Sequence, residues 1–322
     1  MIEGQKKAID QFLAAWATRR LHHAWLLAGP RGVGKGSFAR AAAKRVLADA
    51  AGPPPGGDGL EVAPDHMVSH LIAAGSHPDY RLLERLENPK TGSLSRNIGV
   101  AQVRALGDLL SVTGSLSPWR VIVVDAADDL EGSAANALLK LLEEPPANTL
   151  FLLVAHAPGR LLPTIRSRCR RLDFAQLDDA AMTSLLSRSF PDRNPASIGQ
   201  LVSYAGGSAG RAMQAAALDL GPLEAAALAI MSDGDPDNAR RAALASQLSG
   251  KAAAERYTAF LDMVPALIAR EARGLAEPRR GQALDAYARA RETAVLAPRL
   301  SMDPGMTVFQ LGTILAGVAL KR

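Results

Sequence analysis

The sequence predicts an α/β fold with a parallel sheet in its first half and helices alone in its second. Three observations carry this. Between Arg120 and Cys169 an apolar run, a helical stretch and a second apolar run follow one another, the βαβ pattern of a parallel sheet. Earlier, the apolar run Ala24–Ala28 enters a glycine-rich loop, residues 29–37, that continues as helix. From about Pro222 onward, apolar residues recur at helical spacing with no strand pattern. A chain of 322 residues is too long for one ordinary core, so two or three domains are expected.

Composition narrows the class. Hydrophobic residues at 48% with 21% charged indicate a folded chain, and aromatics at only 4% beside abundant alanine favour helix. No apolar run is long enough to span a bilayer. Residues 1–13 carry charge where a secretory signal needs an apolar core, so a cytoplasmic location and no membrane contact are expected. The single cysteine, Cys169, excludes an intramolecular disulfide and suits a reducing compartment. A net charge of +5 fits a partner with phosphates, such as DNA. No basic helix with interleaved aromatics is present, so no direct reading of sequence is expected.

The elements follow in order. Residues 11–19 read as helix and Ala24–Ala28 as a strand. In the loop after it, Gly29, Gly32 and Gly34 let backbone N–H groups point inward. A helix N-terminus (residues 38–48) favours anions, and Lys35 can meet phosphates. A complete phosphate loop has Ser or Thr after the lysine, whose hydroxyl holds Mg²⁺. Here Gly36 takes that place and Ser37 comes one residue late. A weak nucleotide site and an empty relic loop both stay open.

Residues 52–59, Pro- and Gly-rich, suit neither helix nor strand. His66, His70 and His77 could bind zinc with Asp65 or Asp79, but surface or capping roles are the expectation. Residues 80–83 read as strand. Residues 98–110 read as one amphipathic helix, with Val100, Val103, Leu106 and Leu110 on one face and Arg104 solvated.

The run 121–124 is a buried strand with Asp125 at its tip, placed to help hold Mg²⁺. Asp128 reads as the start of the next helix or a solvated residue. Leu138, Leu139 and Leu142 are at helical spacing, and Pro145-Pro146 stop that helix. Residues 150–155 form a second buried strand, and 172–174 close the sheet. Helices at 178–189 and 196–205 lead to a turn at Gly206-Gly207. Further helices are expected at 223–231, 239–248, 251–272, 281–296 and 307–320, with Pro265 kinking or ending the third.

The strand ending in Asp125, the NALLKLLEEPP stretch from Asn136 to Pro146, and the Ser167-Arg168-Cys169 triplet together resemble the clamp-loader branch of the AAA+ ATPases, the loader subunits of bacterial DNA polymerase III. The resemblance covers the first two-thirds of the chain well and the last third weakly. It implies a P-loop AAA+ α/β domain at 1–174, a small helical lid domain at 175–218 and a helical collar for oligomerisation at 219–322. It also implies a stator-like subunit in a hetero-oligomeric ring with tau/gamma and delta subunits, acting on the sliding clamp and primed DNA.

Site residues follow from the same resemblance. Arg168 would be an arginine finger acting in trans on a neighbour's ATP. Gly29, Gly32, Gly34, Lys35, Gly36, Ser37, Asp125 and Arg211 would be the nucleotide-binding set, with ATP the cofactor of a weak or vestigial site. The family's second acid, which activates water, falls at Ala126, and its first sensor falls about His156. The sensor-two arginine falls at Gly210, one residue before Arg211. The altered acid, metal hydroxyl and sensor argue against intrinsic hydrolysis. Relatives often carry a four-cysteine zinc module near residues 52–59; no cysteine is there, so no zinc is expected. Polymerase activity attaches only by association with the holoenzyme, since no paired metal-binding carboxylates of a palm are evident. The competing readings are an autonomous AAA+ ATPase acting on DNA or protein complexes, opposed by Gly36 and Ala126, and an unrelated P-loop module, opposed by the 136–146 stretch and the 167–169 triplet.

Overall fold

The computed structural model describes residues 3–18, 20–52, 55, 59–87, 94–111 and 113–318. The chain divides into two compact units, Met1–Ser189 with Gly206–Gly210, and Phe190–Ala205 with Arg211–Arg322.

In the first unit the order is α1 (Lys6–Ala17), β1 (Ala24–Ala28), α2 (Lys35–Ala51), α3 (Met67–Ala73), β2 (Tyr80–Leu83), α4 (Val100–Arg104), α5 (Leu106–Ser111), β3 (Arg120–Asp125), α6 (Gly132–Glu143), β4 (Thr149–Ala155), α7 (Pro163–Ser167), β5 (Arg170–Asp173) and α8 (Asp179–Ser189). The described strands make one sheet in the order β2-β3-β4-β1-β5, every neighbouring pair parallel. Registers such as Leu26↔Leu153 and Val124↔Leu153 place the apolar runs side by side.

Strand alternation divides the core in two. Trp25, Leu27, Val121, Val123, Leu152 and Val154 face a cluster with Phe12 of α1 and Phe38, Ala42 and Val46 of α2. Leu26, Ile122, Val124, Phe151 and Leu153 face the other cluster, with Leu106 of α5, Leu138 and Leu142 of α6, and Ile165 of α7. Both faces are covered, which is why the strands read as unbroken apolar runs. Each Val, Leu, Ile or Phe side chain among them contributes about 1.5–3 kcal/mol on burial. Phe12 meets Trp25 and Phe38 edge-on at centroid distances of 5.4 and 5.6 Å.

Three expectations need adjustment here. The first helix starts at Lys6 and ends at Ala17; Arg19, the expected end, lies outside the described residues, as does most of 52–59. The helix expected over 98–110 is two short ones, broken at Ala105. Its first residue is instead extended: Ile98 N–H donates to Asp129 O at 2.7 Å, and Ile98 O accepts from Glu131 N–H at 3.1 Å. Glu131 Oε1 then accepts from Val100 N–H at 2.8 Å, starting α4 there. Asp128 lies in a short 3₁₀ turn, Ala127–Asp129, as a helix start would, but it is half-buried rather than solvated. Its carboxylate accepts from the backbone N–H groups of His156 (2.5 Å) and Ala157 (3.0 Å), holding the end of β4.

The histidines have local work. His66 caps α3, its Nδ1 accepting from Val68 N–H at 3.2 Å, and His70 is exposed. His77 is buried, with Nδ1 accepting from Asp79 N–H at 3.1 Å. Asp79, also buried, accepts from Ser115, Leu116 and Ser117 N–H at 2.7, 2.7 and 2.9 Å, ordering the turn before β3.

The helices that follow are α9 (Pro195–Ala205), α10 (Ala209–Ala217), α11 (Gly221–Asp233), α12 (Ala239–Leu248), α13 (Ala254–Ala272), α14 (Arg279–Leu300) and α15 (Pro304–Val318). The second unit is helical among its described residues. Phe260, Leu261, Val264, Leu267 and Ile268 of α13 are buried at helical spacing. Pro265 does not end that helix, which runs on to Ala272, and α14 likewise contains Pro298. Residues 319–320, expected to finish the last helix, lie outside the described residues. No single helix among the described residues is long and apolar enough to cross a membrane.

Candidate functional site

Parallel strands send their carboxyl ends to one edge, and the loop glycines, Lys35, Asp125 and His156 gather there. The loop of residues 29–34 follows β1, Asp125 ends β3 and His156 follows β4. Gly34, with φ of +96°, is the left-handed residue that turns the loop into α2.

Lys35 is 2% exposed, and its Nζ donates to Gly29 O at 2.6 Å and Pro30 O at 2.5 Å. The cation therefore closes the loop on itself. Burial pushes its pKa from 10.5 down to about 8, against the attraction of Asp128 and Asp125. Ser37 is exposed on the first turn of α2.

At Gly36 the missing side chain is accounted for. A Cβ there would stand 2.5 Å from Asp125 Oδ2 and 3.0 Å from Arg40 Nη1. Arg40 Nη1 and Asp125 Oδ2 are themselves paired at 3.4 Å. Asp125 thus faces a cation on α2 rather than a hydroxyl. Ala126 beside it is buried and brings no proton-accepting group.

His156 stands where the first sensor is expected. Its Nδ1 is buried with no hydrogen-bond partner among the described residues. Burial, then the nearby Lys35 charge, lower its pKa, which favours the neutral ring.

The segment that leads into and opens α10 sits directly on the loop. Ser208 Oγ donates to Arg31 O at 3.0 Å and Gly210 N–H donates to Gly32 O at 2.8 Å. A Cβ at Gly210 would meet Gly32 Cα at 2.9 Å, so the position of the sensor-two arginine is closed to any side chain without movement. Arg211 is the third residue of α10 and falls in the second unit.

Arg168 lies apart from the loop, just after α7. Its Nη2 is 2.8 Å from Glu143 Oε1 at the end of α6, and its Nη1 donates to Thr164 O at 3.0 Å. The side chain is 35% exposed. Next to it, Cys169 packs against the second core cluster, and burial pushes its thiol up to about 12, which makes it unreactive.

Sequence reasoning missed Asp128, Ser208, Arg40 and Glu143. The first three act through contacts made by folding. Glu143 stood in plain view within the 136–146 stretch, and its spacing from Arg168 across one strand was the signal available.

The described geometry accords with the comparisons. The family model described as DNA polymerase III, delta subunit, matches residues 4–178, more than half of the chain. DNA polymerase III subunit delta' of Pseudomonas aeruginosa is 38% identical over 186 residues, 58% of this chain and 53% of that one. The delta' subunit of Escherichia coli is 34% identical over 179 residues, 56% of this chain and 50% of that one. The gamma/tau subunit of Mycobacterium bovis is 34% identical over 187 residues, 58% of this chain and 30% of that one. The chain spans about half the length of the delta' relatives it matches. Matching region, parallel sheet and loop agree: the chain belongs to the DNA polymerase III delta-subunit family, on its delta-prime branch.

Proposed function

We propose that the chain works as a stator-like delta-prime subunit of the DNA polymerase III clamp loader. It sits in a ring with tau/gamma and delta subunits, helps place the sliding clamp on primed DNA in the cytoplasm, hydrolyses no ATP itself and supplies Arg168 to a neighbour's ATP. The domains in this reading are the AAA+ domain at 1–174, the lid at 175–218 and the collar at 219–322. Zinc has no part in it.

One observation carries the reading: the loop keeps the glycines and helix start of a phosphate loop, while the metal hydroxyl, the water-activating acid and the sensor are replaced. Gly36 faces Asp125, Ala126 is inert, and Lys35 is bound to carbonyls of its own loop. ATP binds weakly at Gly29, Gly32, Gly34, Lys35, Gly36 and Ser37, because a phosphate must first displace those carbonyls from Lys35. A guanidinium that is a third exposed and always charged suits Arg168 to phosphate in trans. Such a finger is worth roughly 10³–10⁵ in rate where it is the main stabiliser.

The test is Arg168→Ala in a reconstituted loader. Normal assembly with loss of hydrolysis at one neighbouring site, and slower clamp loading, is expected. Unchanged loading would overturn the assignment, and failed assembly would make the residue structural.

A further inference from the structure

We propose that Glu143 is a positioning residue for Arg168: it parks the guanidinium in cis, and the neighbour's phosphate takes its place when the ring engages ATP. This rests on the reading of Arg168 as a finger in trans. Glu143 is the last residue of α6 and Arg168 directly follows α7, so two parts of the fold set their separation. The contact is charge-assisted, Nη2 to Oε1 at 2.8 Å, while Nη1 is held by Thr164 O at 3.0 Å and by Ser167 Oγ at 3.5 Å. Three acceptors therefore define the orientation of a side chain that would otherwise sample many rotamers.

The exchange follows from exposure. Glu143 and Arg168 side chains are 42% and 35% exposed, so water screens the pair and leaves it weak. A carboxylate and a phosphate oxygen present the same acceptor to a guanidinium, but the phosphate carries more charge. The neighbour's ATP can thus displace Glu143, while Thr164 O and Ser167 Oγ lie on the chain's own α7. Glu144, one residue on at the helix cap, has no such contact among the described residues and serves as the control.

The experiment uses the reconstituted loader with clamp and primed DNA, measuring ATP hydrolysis against ATP concentration. Removing a parking acceptor removes a competitor of the phosphate. Glu143→Gln is therefore expected to lower the apparent KM for ATP about two- to fivefold, the range set by an exposed pair, without lowering kcat. Glu144→Gln is expected to behave as wild type. The double variant with Arg168→Ala is expected to match Arg168→Ala alone, because parking matters only through the arginine. If Arg168→Ala abolishes neighbour hydrolysis but Glu143→Gln leaves KM unchanged or raises it, parking is wrong and the finger stands. If Arg168→Ala leaves hydrolysis intact, the finger reading falls and parking with it.

Discussion

A β-carbon at Gly36 would stand 2.5 Å from Asp125 Oδ2, so the carboxylate at the tip of β3 fills the space where the metal-binding hydroxyl of a complete phosphate loop would hang. Loss of the hydroxyl and placement of the acid are one arrangement, completed by Arg40.

Gly36→Ser is expected to fold. The obstructing oxygen is the free end of a rotatable side chain, and the exposed Arg40–Asp125 pair it would break is worth at most about 1 kcal/mol. Serine gains about 0.5 kcal/mol over glycine in a helix. Stability by urea unfolding should change by less than about 1 kcal/mol. Calorimetry should show ATP affinity that Mg²⁺ strengthens in the variant and barely alters in wild type. Hydrolysis should stay absent, since Ala126 is unchanged.

Lys35 predicts a pH dependence with a definite sign. Its folded pKa, about 8, is below the ordinary 10.5. Between those values the unfolded chain holds a proton that the folded chain has released, so this group makes stability rise with pH across that window. Lys35→Met lacks the effect. The stability of wild type minus that of the variant should increase from pH 8 to pH 10, measured by denaturant unfolding at each pH. A flat difference would mean the ammonium is not desolvated.

Gly210→Ala tests the seat of the sensor-two segment. Its Cβ would meet backbone, Gly32 Cα at 2.9 Å, which cannot turn aside. A cost of about 1–3 kcal/mol is expected. Amide exchange should quicken at residues 31–33 if the Gly210 N–H to Gly32 O bond is lengthened. Unchanged exchange and stability would show that the segment is not fixed on the loop.

Asp128→Ala leaves the N–H groups of His156 and Ala157 without their acceptor. About 2–3 kcal/mol should be lost, and Asp128→Asn, which keeps one carbonyl oxygen, should lose less. The denaturation midpoint decides this, and equal effects of the two substitutions would contradict it.

What the sequence determined by itself was whatever depends on near neighbours in the chain. Strands buried on both faces need unbroken apolar runs, so 121–124 and 150–155 were legible, and glycines before a helix marked the turn from β1 into α2. The replacements at Gly36 and Ala126 could be read one residue at a time. Only the tertiary structure decided the partners. Asp128 could be read as a helix start, but not as the acceptor for amides 28 and 29 residues away. Residues 98–110 looked like one helix because periodicity cannot register that Ile98 bonds to Asp129 and Glu131. The sequence could not show what Lys35 meets within its own chain: folding brings its ammonium onto the Gly29 and Pro30 carbonyls, since a buried charge takes the nearest strong acceptors. Arg168 and Glu143 were both visible in the sequence, yet their 2.8 Å contact exists only because β4 returns the chain from the end of α6 to α7 beside it.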